Sequence, residues 1–168
     1  MTTSECYEVS KPELNELLTL LSQCGHVVSF FLKPKPTVLP AIDTANPLAT
    51  LFALPAFQAQ AAELGAIAVQ PLRYSTLNKF EFEGSLVSVA VAGGCHHNTR
   101  GISQEHIRAV VAAGLNAAFP RPFDDIHVFR LDDARWCQAT DEATMSTSYA
   151  AWQSARGLWW LLSIADID

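Results

Sequence analysis

The sequence predicts an α+β fold, in which helices pack on an antiparallel or mixed sheet. Two segments carry apolar residues at helical spacing, several short apolar runs are separated by turn residues, and the strand-like runs follow one another instead of alternating with helices. The chain has 168 residues, of which 49% are hydrophobic. This is enough to bury a core without disulfides or metals, so we expect residues 1–168 to form a single globular domain.

The first third of the chain is predicted to contain a helix, a strand and a second helical segment. Residues 11–24 form an amphipathic helix, because a capping box begins at Ser10 and leucines then repeat at helical spacing. The β-branched and aromatic run 26–32, HVVSFFL, is typical of a strand and stops at a proline-rich stretch. The alanine-rich run 46–64 favours helix, which Pro55 must kink or split.

The middle of the chain is predicted to be largely β-structure followed by a helix. Residues 66–75 are expected to form a strand that Pro71 interrupts. Phenylalanine and glutamate alternate at the start of 79–92, and Gly-Ser follows, so this segment is predicted to be an antiparallel hairpin. Residues 103–118 have apolar positions on one helical face and a serine at the start, which predicts a capped helix.

The last third is predicted to contain a short hairpin, a loop and a terminal helix. The runs 126–131 and 135–139 flank a polar turn and are expected to pair, whereas the acidic stretch 140–147 is expected to be a loop. Apolar residues in 152–162 share a helical face, although the run 158–165, LWWLLSIA, fits a buried strand equally well. The helix is the interpretation we favour for this segment.

The tryptophans of this segment lead to a prediction about association. Trp159 and Trp160 would lie about 100° apart around a helix, which is more than a narrow stripe facing the core covers. We therefore expect some indole surface between Trp152 and Trp160 to face outward and to mediate homo-oligomer formation or binding of a protein partner.

Composition excludes several classes of function. Eleven lysines and arginines stand against 17 aspartates and glutamates, so the net charge of −6 repels nucleic acid and anionic lipid. The longest apolar run is much shorter than the roughly 20 residues that cross a membrane. The N-terminus lacks a secretory pattern and the four cysteines have no regular spacing, so a cytoplasmic protein without disulfides is expected.

The stretch GGCHHNTRG, residues 93–101, holds most of the side chains with chemical potential. One interpretation is a zinc site built from Cys95, His96, His97 and His106. Adjacent histidines point in different directions, and His106 has no helical partner at the usual spacing, so no metal site is expected. A second interpretation pairs Cys95 as nucleophile with His127 as base, oriented by nearby aspartates, although no local signature links the two.

A third interpretation is a site for a polar or anionic ligand. Glycines free the backbone, an arginine offers a planar fork, and the following helix begins with partial positive charge. The ligand-binding candidates are Gly94, His96, His97, Asn98, Arg100 and Ser103. The purely structural interpretation is that the glycines end one element, Asn98 turns the chain and Ser103 caps the helix.

The functional prediction is a non-catalytic module that binds a small polar ligand or a protein partner, without a cofactor. It depends on the lack of a complete catalytic motif and on the acidic charge. The alternative is a small Cys-His hydrolase or transferase, or a metal-binding protein, centred on residues 93–101.

Overall fold

The computed structural model describes residues 4–34, 47–68, 72–96 and 98–167. Its strands are β1 (Ser4–Tyr7), β2 (His26–Pro34), β3 (Tyr74–Leu77), β4 (Ile126–Leu131), β5 (Met145–Gln153) and β6 (Leu158–Asp166). Its α-helices are α1 (Pro12–Leu21), α2 (Pro47–Phe52), α3 (Pro55–Gln60), α4 (Lys79–Ala92), α5 (Gln104–Ala118) and α6 (Gln138–Glu142). The strands form one antiparallel sheet in the order β1-β2-β6-β5-β4-β3, with helices packed on it, so the predicted α+β class is confirmed.

Both faces of the sheet are covered, and β6 lies in its interior between β2 and β5. Side chains alternate along a strand, so Trp160 and Leu162 pack on one face with α1, α4 and α5, whereas Trp159 and Leu161 pack on the other with α2 and α3. All nine residues of β6 are buried. In a strand covered on both faces, apolar residues at successive positions all stabilise the fold by burial, which explains the unbroken run LWWLLSIA.

Several local predictions are confirmed. The segments predicted as the first helix and first strand form α1 and β2, and the alanine-rich segment splits at Pro55 into α2 and α3. Ser103 caps α5, its side chain accepting a hydrogen bond from the backbone N–H of His106. The capping box at Ser10 is not formed, because Lys11 is the N-cap of α1 and Pro12 takes the first helical position.

The hairpin predicted for residues 79–92 is wrong, because this segment is helix α4. Asn78 accepts hydrogen bonds from the backbone N–H groups of Phe80 and Glu81, and the Glu81 carboxylate accepts one from the N–H of Asn78. This capping box starts a helix whose buried side includes Phe82 and Leu86. The Phe-Glu alternation resembled a strand, but Phe80 is 66% exposed and only Phe82 faces the core.

The helix favoured for residues 152–162 is also wrong, because the segment spans β5, a turn and β6. Gly157 allows the turn with a left-handed φ of 56°. Trp152, Trp159 and Trp160 are only 5%, 1% and 1% exposed. The exposed indole surface on which the predicted homo-oligomer depended is therefore absent.

Three shorter predictions also need correction. Strand β4 pairs with β5 and β3, whereas 135–139 enters a 3-10 turn and α6. The expected loop 140–147 contains the end of α6 and the start of β5. Within the expected strand 66–75, only residues from Tyr74 onward join a named strand, and Pro71 lies outside the described residues.

None of the helices in the described residues is long and apolar enough to cross a membrane.

Candidate functional site

A cavity of about 590 Å³ opens between the C-terminal half of α4 and the adjoining ends of β4 and β5. We call it the α4-sheet cavity. Its polar lining includes Ser85, Ser88, Arg130, Asp132, Thr147 and Tyr149. Its volume lies within the range of about 300–1,000 Å³ that is typical of small-molecule sites.

The register of the sheet brings the polar strand residues together. Arg130 lies directly opposite Tyr149 in the β4-β5 pair, and directly opposite residues of an antiparallel pair point to the same face. Asp132 lies two positions after Arg130, and Thr147 lies two positions before Tyr149, so both share this face. The same face is apolar at Val128, so its character changes from apolar to polar where the cavity opens.

A hydroxyl pair, one member of which is buried, forms the inner wall of the cavity. The hydroxyl oxygens of Tyr149 and Ser85 are 2.7 Å apart, and Tyr149 is fully buried. Burial raises the pKa of Tyr149 above its ordinary value of about 10, while the hydrogen bond shared with Ser85 and the charge of Arg130 act in the opposite direction. The phenol therefore stays protonated at neutral pH and acts as a hydrogen-bonding group.

An arginine held by an aspartate forms the outer wall. The Nε of Arg130 donates to Oδ1 of Asp132 at 3.0 Å, and Ser75 donates its hydroxyl to the other carboxylate oxygen. Neither terminal nitrogen of Arg130 has a hydrogen-bond partner among the described residues, and the same is true of the Thr147 hydroxyl. The wall thus presents hydrogen-bond donors that the described part of the protein leaves uncommitted.

The loop after α4 contributes one of its predicted residues to this cavity and holds a smaller cavity of its own. Gly94 lines both cavities, and Cys95, Asn98 and Arg100 line the second, which measures about 350 Å³. Asn98 accepts a hydrogen bond from the backbone N–H of Arg100 and so turns the chain. Three of the predicted ligand-binding residues therefore lie around one space.

The other predicted ligand-binding residues have different positions. His96 is exposed, and its backbone N–H donates to the buried carboxylate of Asp166 at 2.9 Å. Ser103 is occupied as the cap of α5. His97 lies outside the described residues. The loop is held at a second point, where Thr99 donates its hydroxyl to the carbonyl oxygen of Ala90 at 2.6 Å.

The proposed nucleophile and base lie near opposite ends of the sheet. His127 lies opposite Trp152, which lies opposite Trp159 near the start of β6. Cys95 adjoins His96, which is bonded to Asp166 at the end of β6. The strand from Trp159 to Asp166 spans roughly 23 Å at the usual rise per residue, so the fold does not bring Cys95 and His127 together.

The residues considered as metal ligands do not gather in the described part of the chain. Cys95, His96 and His106 are all exposed, and no group of three or more histidine, cysteine or acidic side chains converges among the described residues. The four cysteines are unpaired, with Cys24 and Cys137 buried.

Reasoning from the sequence missed Ser85, Arg130, Thr147 and Tyr149. A signal was present, because alternate positions of both strand segments change from apolar to polar toward the 132–145 connection. The signal identifies a site only when the pairing of β4 and β5 is known, because their register places the two polar ends side by side.

No protein-family model and no curated protein matches the chain. The chemistry of the site is therefore inferred from the geometry and charges of the α4-sheet cavity.

Proposed function

We propose that this protein is a non-catalytic binding protein that holds a small polar ligand in the α4-sheet cavity. The observation that carries the proposal is the combination of uncommitted donors on Arg130 and Thr147 with an apolar floor, formed by Val89, Met145 and Ile164, in a cavity of ligand size. Small-molecule sites commonly pair apolar walls with a few polar groups that fix orientation.

The protonation states in the cavity support binding instead of catalysis. Burial and the charge of Asp166 raise the pKa of the Cys24 thiol, which disfavours the nucleophilic thiolate. Tyr149 is held as the neutral phenol, and the Asp132 carboxylate is engaged by Arg130 and Ser75. None of these groups forms the nucleophile-base pair that covalent catalysis requires.

The predicted alternative, an enzyme centred on residues 93–101, has less support. Its two candidate residues, Cys95 and His127, lie near opposite ends of the sheet, which β6 spans over roughly 23 Å between Trp159 and Asp166. For location, we propose the cytoplasm, since unpaired cysteines, two of them exposed, suit a reducing compartment.

The test is a ligand screen that compares a blocked cavity with a matched control. Ser88 is an exposed residue of α4 at the cavity, and Ser88→Trp should fill its mouth. Asn116→Trp places the same side chain on an exposed position of α5 that lines neither the α4-sheet cavity nor the cavity of the loop after α4.

The readout is the melting temperature in the presence of individual polar metabolites at millimolar concentration. We expect at least one to stabilise the native protein and the Asn116→Trp variant but not the Ser88→Trp variant. If stabilisation survives in Ser88→Trp, or if no compound of a broad panel stabilises the native protein, the proposed function is wrong.

A further inference from the structure

We infer that the ligand of the α4-sheet cavity is a small monocarboxylate with an apolar body, an inference that rests on the proposed function. Three observations point to this chemical class: the uncommitted terminal nitrogens of Arg130, which can only donate, the near neutrality of the lining, and the apolar floor beside the donors.

The hydroxyl pair contributes a donor as well as a wall. Ser85 and Tyr149 carry two hydroxyl hydrogens, and their mutual bond uses one of them. Neither hydroxyl makes another hydrogen bond within the described residues, so the second hydrogen is available to a ligand. This hydrogen, the terminal nitrogens of Arg130 and the hydroxyl of Thr147 can all donate to an acceptor on the ligand.

The carboxylate of Asp132 is already engaged, because it receives hydrogen bonds from Arg130 and Ser75. The hydroxyls of the cavity, including that of Ser88, which donates to the carbonyl oxygen of Gly84, can still accept a hydrogen bond, whereas the terminal nitrogens of Arg130 can only donate. An oxyanion would satisfy these nitrogens and the hydroxyl donors at once. Charge-assisted bonds of this kind are the stronger class of hydrogen bond.

The charge of the lining favours at most a single negative charge on the ligand. Arg130 and Asp132 carry opposite charges, while Cys24 and Tyr149 have raised pKa values and stay neutral. A carboxylate brings one negative charge in a planar group that matches the arginine fork. Because Asp132 already offsets Arg130, the second negative charge of a phosphate dianion would meet no other cation among the described lining residues and would be repelled by Asp132, so phosphate should bind less well.

The floor indicates what the rest of the ligand must be. The side chains of Val89, Met145 and Ile164 line the same cavity as the donors. Apolar surface covered by a ligand contributes favourably to binding, roughly in proportion to the area removed from water. An aliphatic or aromatic body attached to the carboxylate therefore fits this floor better than a second polar group.

The experiment titrates the intact protein with butyrate, hexanoate and benzoate, with the corresponding uncharged amides, and with inorganic phosphate. We expect saturable binding of the carboxylates, measured by calorimetry and by amide chemical shifts, and weaker binding of each amide. Arg130→Gln should weaken carboxylate binding by about tenfold or more, because it removes a charge-assisted interaction.

A matched variant separates the cavity arginine from a general charge effect. Arg135 forms a comparable pair with Asp133, with Nε to Oδ1 at 3.1 Å, and its side chain is 75% exposed and lines no cavity described here. Arg135→Gln removes the same charge and should leave carboxylate affinity unchanged. Both arginines are substantially exposed in side chain, so neither variant threatens the fold.

Each outcome decides the inference separately from the proposed function. If the amides bind as tightly as the acids, if phosphate binds more tightly, or if Arg130→Gln has no larger effect than Arg135→Gln, the carboxylate class is wrong. If a compound then still binds the native protein and fails to bind Ser88→Trp, the cavity remains a site for another polar ligand. The lack of saturable binding by all the carboxylates would also overturn the inference, whatever the wider screen finds.

Discussion

Replacing Gly94 by alanine should destabilise the fold, because the structure leaves no room for a side chain there. A Cβ atom at this position would overlap the Oδ2 atom of Asp166 and would lie 2.6 Å from the carbonyl oxygen of Cys24. The carbonyl belongs to the backbone, and the Asp166 carboxylate is buried and accepts the N–H of His96. The carbonyl can move away only together with the backbone, and the carboxylate only by giving up its hydrogen bond with His96.

The expected magnitude follows from the two ways the protein can respond. Forcing extra atoms into a packed site costs about 1–3 kcal/mol. Displacing Asp166 would also weaken the His96 hydrogen bond to a charged acceptor, a type worth roughly 1.5–3 kcal/mol. We therefore expect Gly94→Ala to lower the free energy of unfolding by about 3 kcal/mol, or the melting temperature by roughly 6–12 °C for a chain of this size.

The assay is chemical denaturation followed by tryptophan fluorescence, with Gly84→Ala as the control. Gly84 lies within α4, and a Cβ atom there meets nothing within 4 Å. Alanine at that position should raise stability by about 0.5–1 kcal/mol, because glycine is unfavourable inside a helix. A loss below about 0.5 kcal/mol for Gly94→Ala would refute the close approach of loop and strand, since surface substitutions usually fall in that range.

Three further predictions concern the thiols and the buried tyrosine. In the native protein a thiol reagent should modify exposed Cys6 and Cys95 quickly, and Cys24 and Cys137 only after denaturation; fewer than four reactive thiols after denaturation without reductant would indicate a disulfide. Cys95→Ala should change the free energy of unfolding by less than about 1 kcal/mol, as measured by denaturation, because this thiol is exposed. Burial raises the folded-state pKa of Tyr149, so the contribution of the neutral phenol to folding stability is fully present below about pH 10 and is lost as the pH rises beyond that value. Between pH 9 and 11 the free energy of unfolding should therefore fall less steeply in Tyr149→Phe than in the native protein. Equal slopes for the two proteins would contradict the burial of this side chain.

The sequence determined the elements whose signals are local. Helix α5 has an N-cap at Ser103 and a regular apolar face, and both operate within a few residues of the helix itself. The split at Pro55 follows from the missing backbone N–H and fixed φ of proline. Strand β2 was predictable for a similar reason, since its β-branched and aromatic residues end at a proline-rich stretch.

The same local reasoning was wrong where two signals competed. In α4, the alternation of Phe80 and Phe82 indicated a strand, whereas the capping box of Asn78 and Glu81 started a helix. Only Phe82 is buried in the core, whereas Phe80 is exposed. Burial in the tertiary structure therefore decided between the helical and the strand periodicity.

Only the tertiary structure decided the state of the tryptophan segment and the location of the candidate site. An apolar run such as LWWLLSIA suits a helix or a strand, and it became β6 because the sheet buries both of its faces. Arg130 and Tyr149 are 19 positions apart in sequence, and their shared face exists only through the β4-β5 register. Chain-distant pairing is a property of the whole fold, since a one-residue shift in register would turn either side chain to the opposite face.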